Sequence, residues 1–120
     1  MGFKPRMAAR IPVDLGVQVD SDAGNVHCRV IEASLTGILL WSENPLTPKQ
    51  MAELTVDLGE DGSIRSRGTV LHSRVSDYPY PEGGYLAGVH FVNLSENGQT
   101  LLKTYLHRHR YSRFRLPKFR

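Results

Sequence analysis

Apolar and polar positions alternate along most of this chain, and the alternation marks out strands. Val13, Leu15, Val17 and Val19 share one face while Asp14, Gly16, Gln18 and Asp20 take the other, the pattern of a half-buried strand. SDAGN (21–25) is a turn cluster, after which Val26, Cys28 and Val30 resume the period. Small and polar residues in EASLTG (32–37) interrupt it, and ILLW (38–41) predicts a short apolar strand. Ala52, Leu54, Val56 and Leu58 alternate next, between the proline-bearing loop NPLTPKQ (44–50) and the turn GEDG (59–62). Residues 64–75 predict one long strand, with Gly68 a bulge or a point of close approach. After the long turn DYPYPEGG (77–84), Tyr85, Ala87, Val89 and Phe91 alternate once more. The period then changes: Leu101, Leu102, Tyr105 and Leu106 recur at helical spacing, with Ser95 placed to cap the helix. Six strands followed by one helix predict a mainly β protein, a six-stranded antiparallel β-barrel with a C-terminal α-helix.

A chain of 120 residues is long enough to bury one core without staples. The pattern divides it into an N-terminal arm (1–12), the barrel and helix (13–110) and a basic tail (111–120). No apolar stretch approaches the ~20 residues of a membrane span, and the N-terminus lacks the apolar core of a secretory signal. The single cysteine, Cys28, rules out an internal disulfide and fits a reducing compartment, so the expected location is cytoplasmic. The net charge of +3 conceals an asymmetry. Residues 1–107 carry nine Lys/Arg against twelve Asp/Glu, whereas residues 108–120 carry six Lys/Arg and no acid. The body is therefore mildly acidic, and the basic balance comes from the end of the chain.

Two stretches carry candidate chemistry. Arg6 and Arg10 stand four apart just before the first strand, where a helical turn would aim both guanidinium groups at one anion. The planar fork of arginine binds phosphate bidentately and also matches the O6 and N7 edge of guanine. Taken alone, the pair reads first as a solvated arm. In the second stretch, Glu32 offers acceptors for the N1–H and N2–H of guanine, Ser34 is a short donor, and Gly37 permits close approach of a backbone. A turn or bulge between two strands favours the same residue types.

Taken together, Arg6-Met-Ala-Ala-Arg10 and Glu32-Ala-Ser34-Leu-Thr-Gly37 resemble the paired RxxxR and (D/N)xSxxG motifs of the PilZ domain, a bacterial receptor for cyclic di-GMP. The resemblance continues through GILLWSENPLTPKQ, GTVLHSRV and GVHFVNLSENGQTLLKTYL, roughly residues 4–107. It implies a six-stranded barrel with a C-terminal helix. It also implies that Arg6 and Arg10 grip the phosphates and guanine edges, that Glu32 and Ser34 hydrogen-bond a guanine, and that Gly37 keeps the wall clear. An arm that orders over the nucleotide would report its occupancy to a downstream protein. Position 32 departs from the pattern: glutamate replaces Asp or Asn, and its extra methylene moves the carboxylate outward by roughly 1 Å, a misfit expected to weaken binding. Pro5 stands where some members carry a further arginine, so one nucleotide and a stacked pair both stay open.

Other chemistries are not supported. His107 and His109 lie on different helix faces, His27, His72 and His90 read as surface or edge residues, and no zinc-binding spacing occurs, so no metal or other cofactor is expected. The strand–turn–helix motif of a nucleophilic serine is absent around Ser34, and no enzyme activity is expected. The leading reading is a stand-alone cyclic di-GMP receptor acting through an unidentified protein. Two others stand beside it: a PilZ-like interaction module whose nucleotide binding is weakened or lost at Glu32, and a small barrel that binds nucleic acid through its basic, aromatic tail. The acidic body disfavours the last.

Overall fold

In the computed structural model, which describes residues 10–115 with side chains through residue 109, the alternating segments form six strands. They are β1 (Ile11–Ser21), β2 (Gly24–Ala33), β3 (Gly37–Ser42), β4 (Met51–Asp57), β5 (Ser63–Val75) and β6 (Tyr85–Val92). A short 3-10 turn, Gly59–Asp61, replaces the simple reverse turn expected at GEDG. The helix α1 (Glu96–Arg115) closes the chain. The strands form a closed antiparallel barrel in the order β1-β2-β3-β6-β5-β4, with β4 returning to β1 through pairs such as Val17 with Val56 and Val19 with Leu54. Closure removes both free edges of the sheet.

The inward positions fill the barrel. Val17, Cys28, Val30, Leu40, Leu54 and Val70 are each no more than 2% exposed and belong to one continuous core. Gly68 is a point of close approach: a Cβ there would stand 2.7 Å from Val89 Cγ1 and 2.8 Å from Leu54 Cδ1. The bulge that its sequence context also allowed lies three residues further on.

Bulges change which face the side chains take. In β2, Cys28 and Val30 point inward, and strict alternation would send Glu32 inward too. The register shifts between Val30 and Glu32, so Val30 pairs with Leu40 but Glu32 pairs with Leu39 on the outer face. An extra residue in one strand reverses the phase of every residue after it. In β5 the same device acts between Val70 and His72, turning His72 outward opposite Gly88 and leaving Leu71 59% exposed. A third shift, between Pro12 and Leu15 of β1, lies beside the first.

Ser95 caps α1, its hydroxyl accepting from the Gly98 amide at 3.0 Å, as the sequence predicts. Gly98, Leu102, Tyr105 and Leu106 form the buried face, and the three apolar side chains join the barrel core. Arg108 donates to both carboxylate oxygens of Asp61 at 2.8 and 2.9 Å, tying the helix to the 3-10 turn. The helix runs five residues beyond position 110, and no glycine or proline interrupts it over that span. Residues 116–120, including Phe119 of the basic aromatic tail, lie outside the described residues.

Unfolding measurements test this packing. Leu102→Ala should lower unfolding free energy in urea by about 2–5 kcal/mol, because it leaves a cavity in a fully buried position. Arg108→Ala should cost under about 1 kcal/mol, because that side chain is 59% exposed and the pair is screened by solvent. Burial also pushes the Cys28 thiol up to about 11 from its ordinary 9.0. With the sulfur also shielded from reagent, iodoacetamide at pH 8 should alkylate the folded protein at least about a hundredfold more slowly than the unfolded one. The raised value favours the folded state fully below pH 9, and that stability should decline as pH rises from 9 toward 11.

Candidate functional site

The shifted registers assemble a site on the outside of the barrel. Glu32 pairs with Leu39, Leu39 with Gly88, and Gly88 with His72, so one row crosses β2, β3, β6 and β5 on a single face. A second row, Gly37 with His90, lies two residues away. Two glycines in adjoining rows leave a depression where side chains would otherwise stand. Arg10, Glu32, Ser34, Thr36, His72 and His90 supply its polar lining, and Leu71 forms part of its rim. Its volume of about 90 Å3 is well below the ~300 Å3 usual for a pocket that swallows a whole small ligand. It can hold part of a nucleotide, with the remainder lying against the outer face.

Four of the five residues singled out in the sequence meet here: Arg10, Glu32, Ser34 and Gly37. The fifth, Arg6, lies outside the described residues, as does Pro5. Arg10 Nη1 stands 3.5 Å from Glu32 Oε1, a long contact with the arginine 60% exposed, so the guanidinium is available to an incoming anion. The other carboxylate oxygen, Oε2, accepts from the phenol of Tyr78 at 3.1 Å.

The turn between β2 and β3 is held by its own residues. The Ser34 amide donates to the Gly37 carbonyl at 2.9 Å, and the Thr36 amide donates to Ser34 Oγ at 3.2 Å. Ser34 Oγ also contacts Thr36 Oγ1 at 3.1 Å and the Gly37 carbonyl at 3.4 Å. Among the described residues these contacts staple the turn. Gly37 is required by packing alone: a Cβ there would fall 2.3 Å from the Val89 carbonyl oxygen. Gly88 makes room for a side chain instead, since its Cβ would meet the His72 ring at 2.5 Å.

Chemically, the site offers a cation (Arg10), a carboxylate, two imidazoles and two hydroxyls around a shallow floor. That set can pair with an anion and with a planar ring that presents adjacent N–H donors. No group of three or more His, Cys, Asp or Glu side chains suited to a metal occurs among the described residues. His72, His90, Leu71, Gly88 and Tyr78 belong to the site although sequence reasoning gave them no place in it. His72, His90 and Gly88 are brought in by cross-strand register, and Leu71 by the shift in β5. Tyr78 comes from a turn that has no periodicity to read.

The PilZ domain model matches residues 4–108, and the chain belongs to this family. Among solved structures, the PilZ domain of Escherichia coli YcgR with c-di-GMP is 16% identical with a TM-score of 0.72, covering 94% of this chain and all of that one. The K. pneumonia MrkH–c-di-GMP complex is 18% identical with a TM-score of 0.81, covering 94% of this chain and 56% of that one. The Bacillus subtilis inhibitor of motility, MotI/DgrA, is 18% identical with a TM-score of 0.74, covering 92% and 53% respectively. The chain thus spans about half the length of the last two proteins. At these identities the likeness establishes a shared fold. A comparison with curated proteins gives no match.

Two substitutions test how the turn is built, with no ligand present. Gly37→Ala should cost about 1–3 kcal/mol in urea unfolding, as expected for overpacking against a backbone carbonyl. Ser34→Ala should cost about 1 kcal/mol for its lost hydrogen bonds. An unchanged midpoint in either would show that the turn holds without that residue.

Proposed function

We propose that this PilZ domain is a receptor for cyclic di-GMP and not an enzyme. The observation that carries this reading is the convergence of Arg10, Glu32, Ser34 and Gly37 on one pocket, although Arg10 and Glu32 are 22 residues apart in the chain. The ligand chemistry agrees. Arg10 would pair with a phosphate or a guanine edge, and Glu32 would accept from the adjacent N–H donors of guanine. The c-di-GMP complexes of YcgR and MrkH, which share the fold, support the same ligand.

The pocket is too small to enclose a dinucleotide, so a second wall is needed. The segment that enters at Arg10 carries Arg6 and would supply it by ordering over the bound nucleotide. That ordering, read by a downstream protein, would be the output of a cytoplasmic bacterial receptor with no catalytic step. Ser34 would turn its one hydroxyl hydrogen from the long 3.4 Å contact with the Gly37 carbonyl to the guanine, and Gly37 would leave the wall low.

Isothermal titration with cyclic di-GMP, with GTP as control, tests the reading. Saturable heat is expected with cyclic di-GMP alone, and its stoichiometry separates one nucleotide from a stacked pair. Arg6→Ala and Arg10→Ala should each weaken binding about tenfold or more, since each removes a charge-assisted hydrogen bond worth at least ~1.5 kcal/mol. Absence of heat at near-millimolar ligand, or unchanged affinity in both variants, would overturn it.

A further inference from the structure

Glu32 is held less by the arginine beside it than by a tyrosine from a distant loop. Its contact with Arg10 is 3.5 Å long on a largely exposed side chain, the kind of ion pair that contributes little. Its contact with the Tyr78 hydroxyl is 3.1 Å, within ordinary hydrogen-bond range, and Tyr78 is half-buried.

The loop that delivers the phenol is itself well fixed. Tyr78 lies between β5 and β6, in a loop closed by the Ser76 amide donating to the Gly84 carbonyl at 3.0 Å. Its own amide donates to Ser76 Oγ at 3.1 Å, and Arg74 bonds Asp77 at 3.3 Å. At the far side, Trp41 Nε1 donates to the Gly83 carbonyl at 2.8 Å. The indole lies so close to Gly84 that a Cβ there would fall 2.5 Å from the ring, and both glycines hold positive φ, 76° and 77°. Trp41 therefore anchors the loop to the outer face of β3. From that anchored loop, Tyr78 reaches back to β2, 46 residues earlier in the chain.

We propose that Tyr78 is a positioning residue: its phenol holds the Glu32 carboxylate at the rim of the pocket, and the site is matched to glutamate at this position. An aspartate would withdraw the oxygens by roughly 1 Å, and a 3.1 Å bond lengthened by that much is no longer a hydrogen bond. The extra methylene is then a fit to Tyr78 and not a misfit to the ligand. With Oε2 accepting from the phenol, the carboxylate is kept from rotating, and Oε1 faces Arg10 and the pocket. This assignment rests on the cyclic di-GMP reading for its consequence, but the contact itself is independent of any ligand. Burial first, then the hydrogen bond and charge of Glu32, then the charge of Asp77, raise the Tyr78 hydroxyl above its ordinary value, against an opposing effect of Arg74. The phenol accordingly stays protonated, and a donor, throughout the neutral range.

Two measurements on the full chain test the proposal. In protein carrying 13Cζ-labelled tyrosine, NMR titration should place Tyr78 above the ordinary tyrosine range, and Glu32→Asp should move it down. In calorimetry with cyclic di-GMP, Tyr78→Phe should weaken binding about fivefold in the Glu32 background, the scale of one lost hydrogen bond. Glu32→Asp should weaken it at least as much, and Tyr78→Phe should add no further loss to Glu32→Asp. A Tyr78 titration unmoved by Glu32→Asp, tighter binding by Glu32→Asp, or losses that multiply in the double variant would overturn the assignment. If the unmodified protein gives no heat with cyclic di-GMP, the ligand reading falls, and the tyrosine titration alone decides whether Tyr78 holds Glu32.

Discussion

Two bulges, one in β2 and one in β5, are the constraint on which the candidate site depends. Without the shift between Val30 and Glu32, the carboxylate would point into a core where Val30 and Leu40 are fully buried. An unpaired ionised group there would be strongly unfavourable. Without the shift between Val70 and His72, the imidazole would take the same inward direction. Each extra residue reverses the facing of the strand beyond it, and the two reversals bring Glu32 and His72 into one outer row with only Leu39 and Gly88 between them. The barrel thus keeps an apolar interior and presents polar chemistry on its wall.

Close backbone approach completes the arrangement. Gly37 lets the start of β3 lie against the Val89 carbonyl, and Gly88 lets the His72 ring lie across β6. Both absences of a side chain serve packing first, and the depression over them is a consequence. The Ser34 turn works the same way: its hydroxyl satisfies local backbone groups while leaving the turn at the pocket edge. The residues proposed to meet a ligand are thus the same ones that hold the turn and the strand packing.

The electrostatics are local. Residues 1–107 are acidic overall, yet the pocket sets one guanidinium beside one carboxylate with two imidazoles opposite. Among the described residues Arg10 is the one Lys or Arg that lines the pocket, fewer than a polynucleotide surface needs. The arrangement suits a ligand recognised through a few directed hydrogen bonds and a small number of phosphates.

Much of this was legible in the sequence. Period-two alternation located six strands, the change to a helical period located α1, and Ser95 announced its start, because these patterns depend only on which side chains avoid water. The family motifs named Arg10, Glu32, Ser34 and Gly37, which the fold gathers around one pocket. The break at EASLTG was visible as a lapse in the alternation, but whether it marked a turn, a bulge or both could not be read from it. Tertiary structure decided the rest. Which face Glu32 and His72 take depends on register against neighbouring strands, and register is a property of pairs. The place of Tyr78 depends on a loop anchored by Trp41, 42 residues away from Gly83 in the chain, and no local pattern encodes so distant a contact. Hydrophobic periodicity determined the barrel; strand pairing and loop anchoring decided where its polar groups meet.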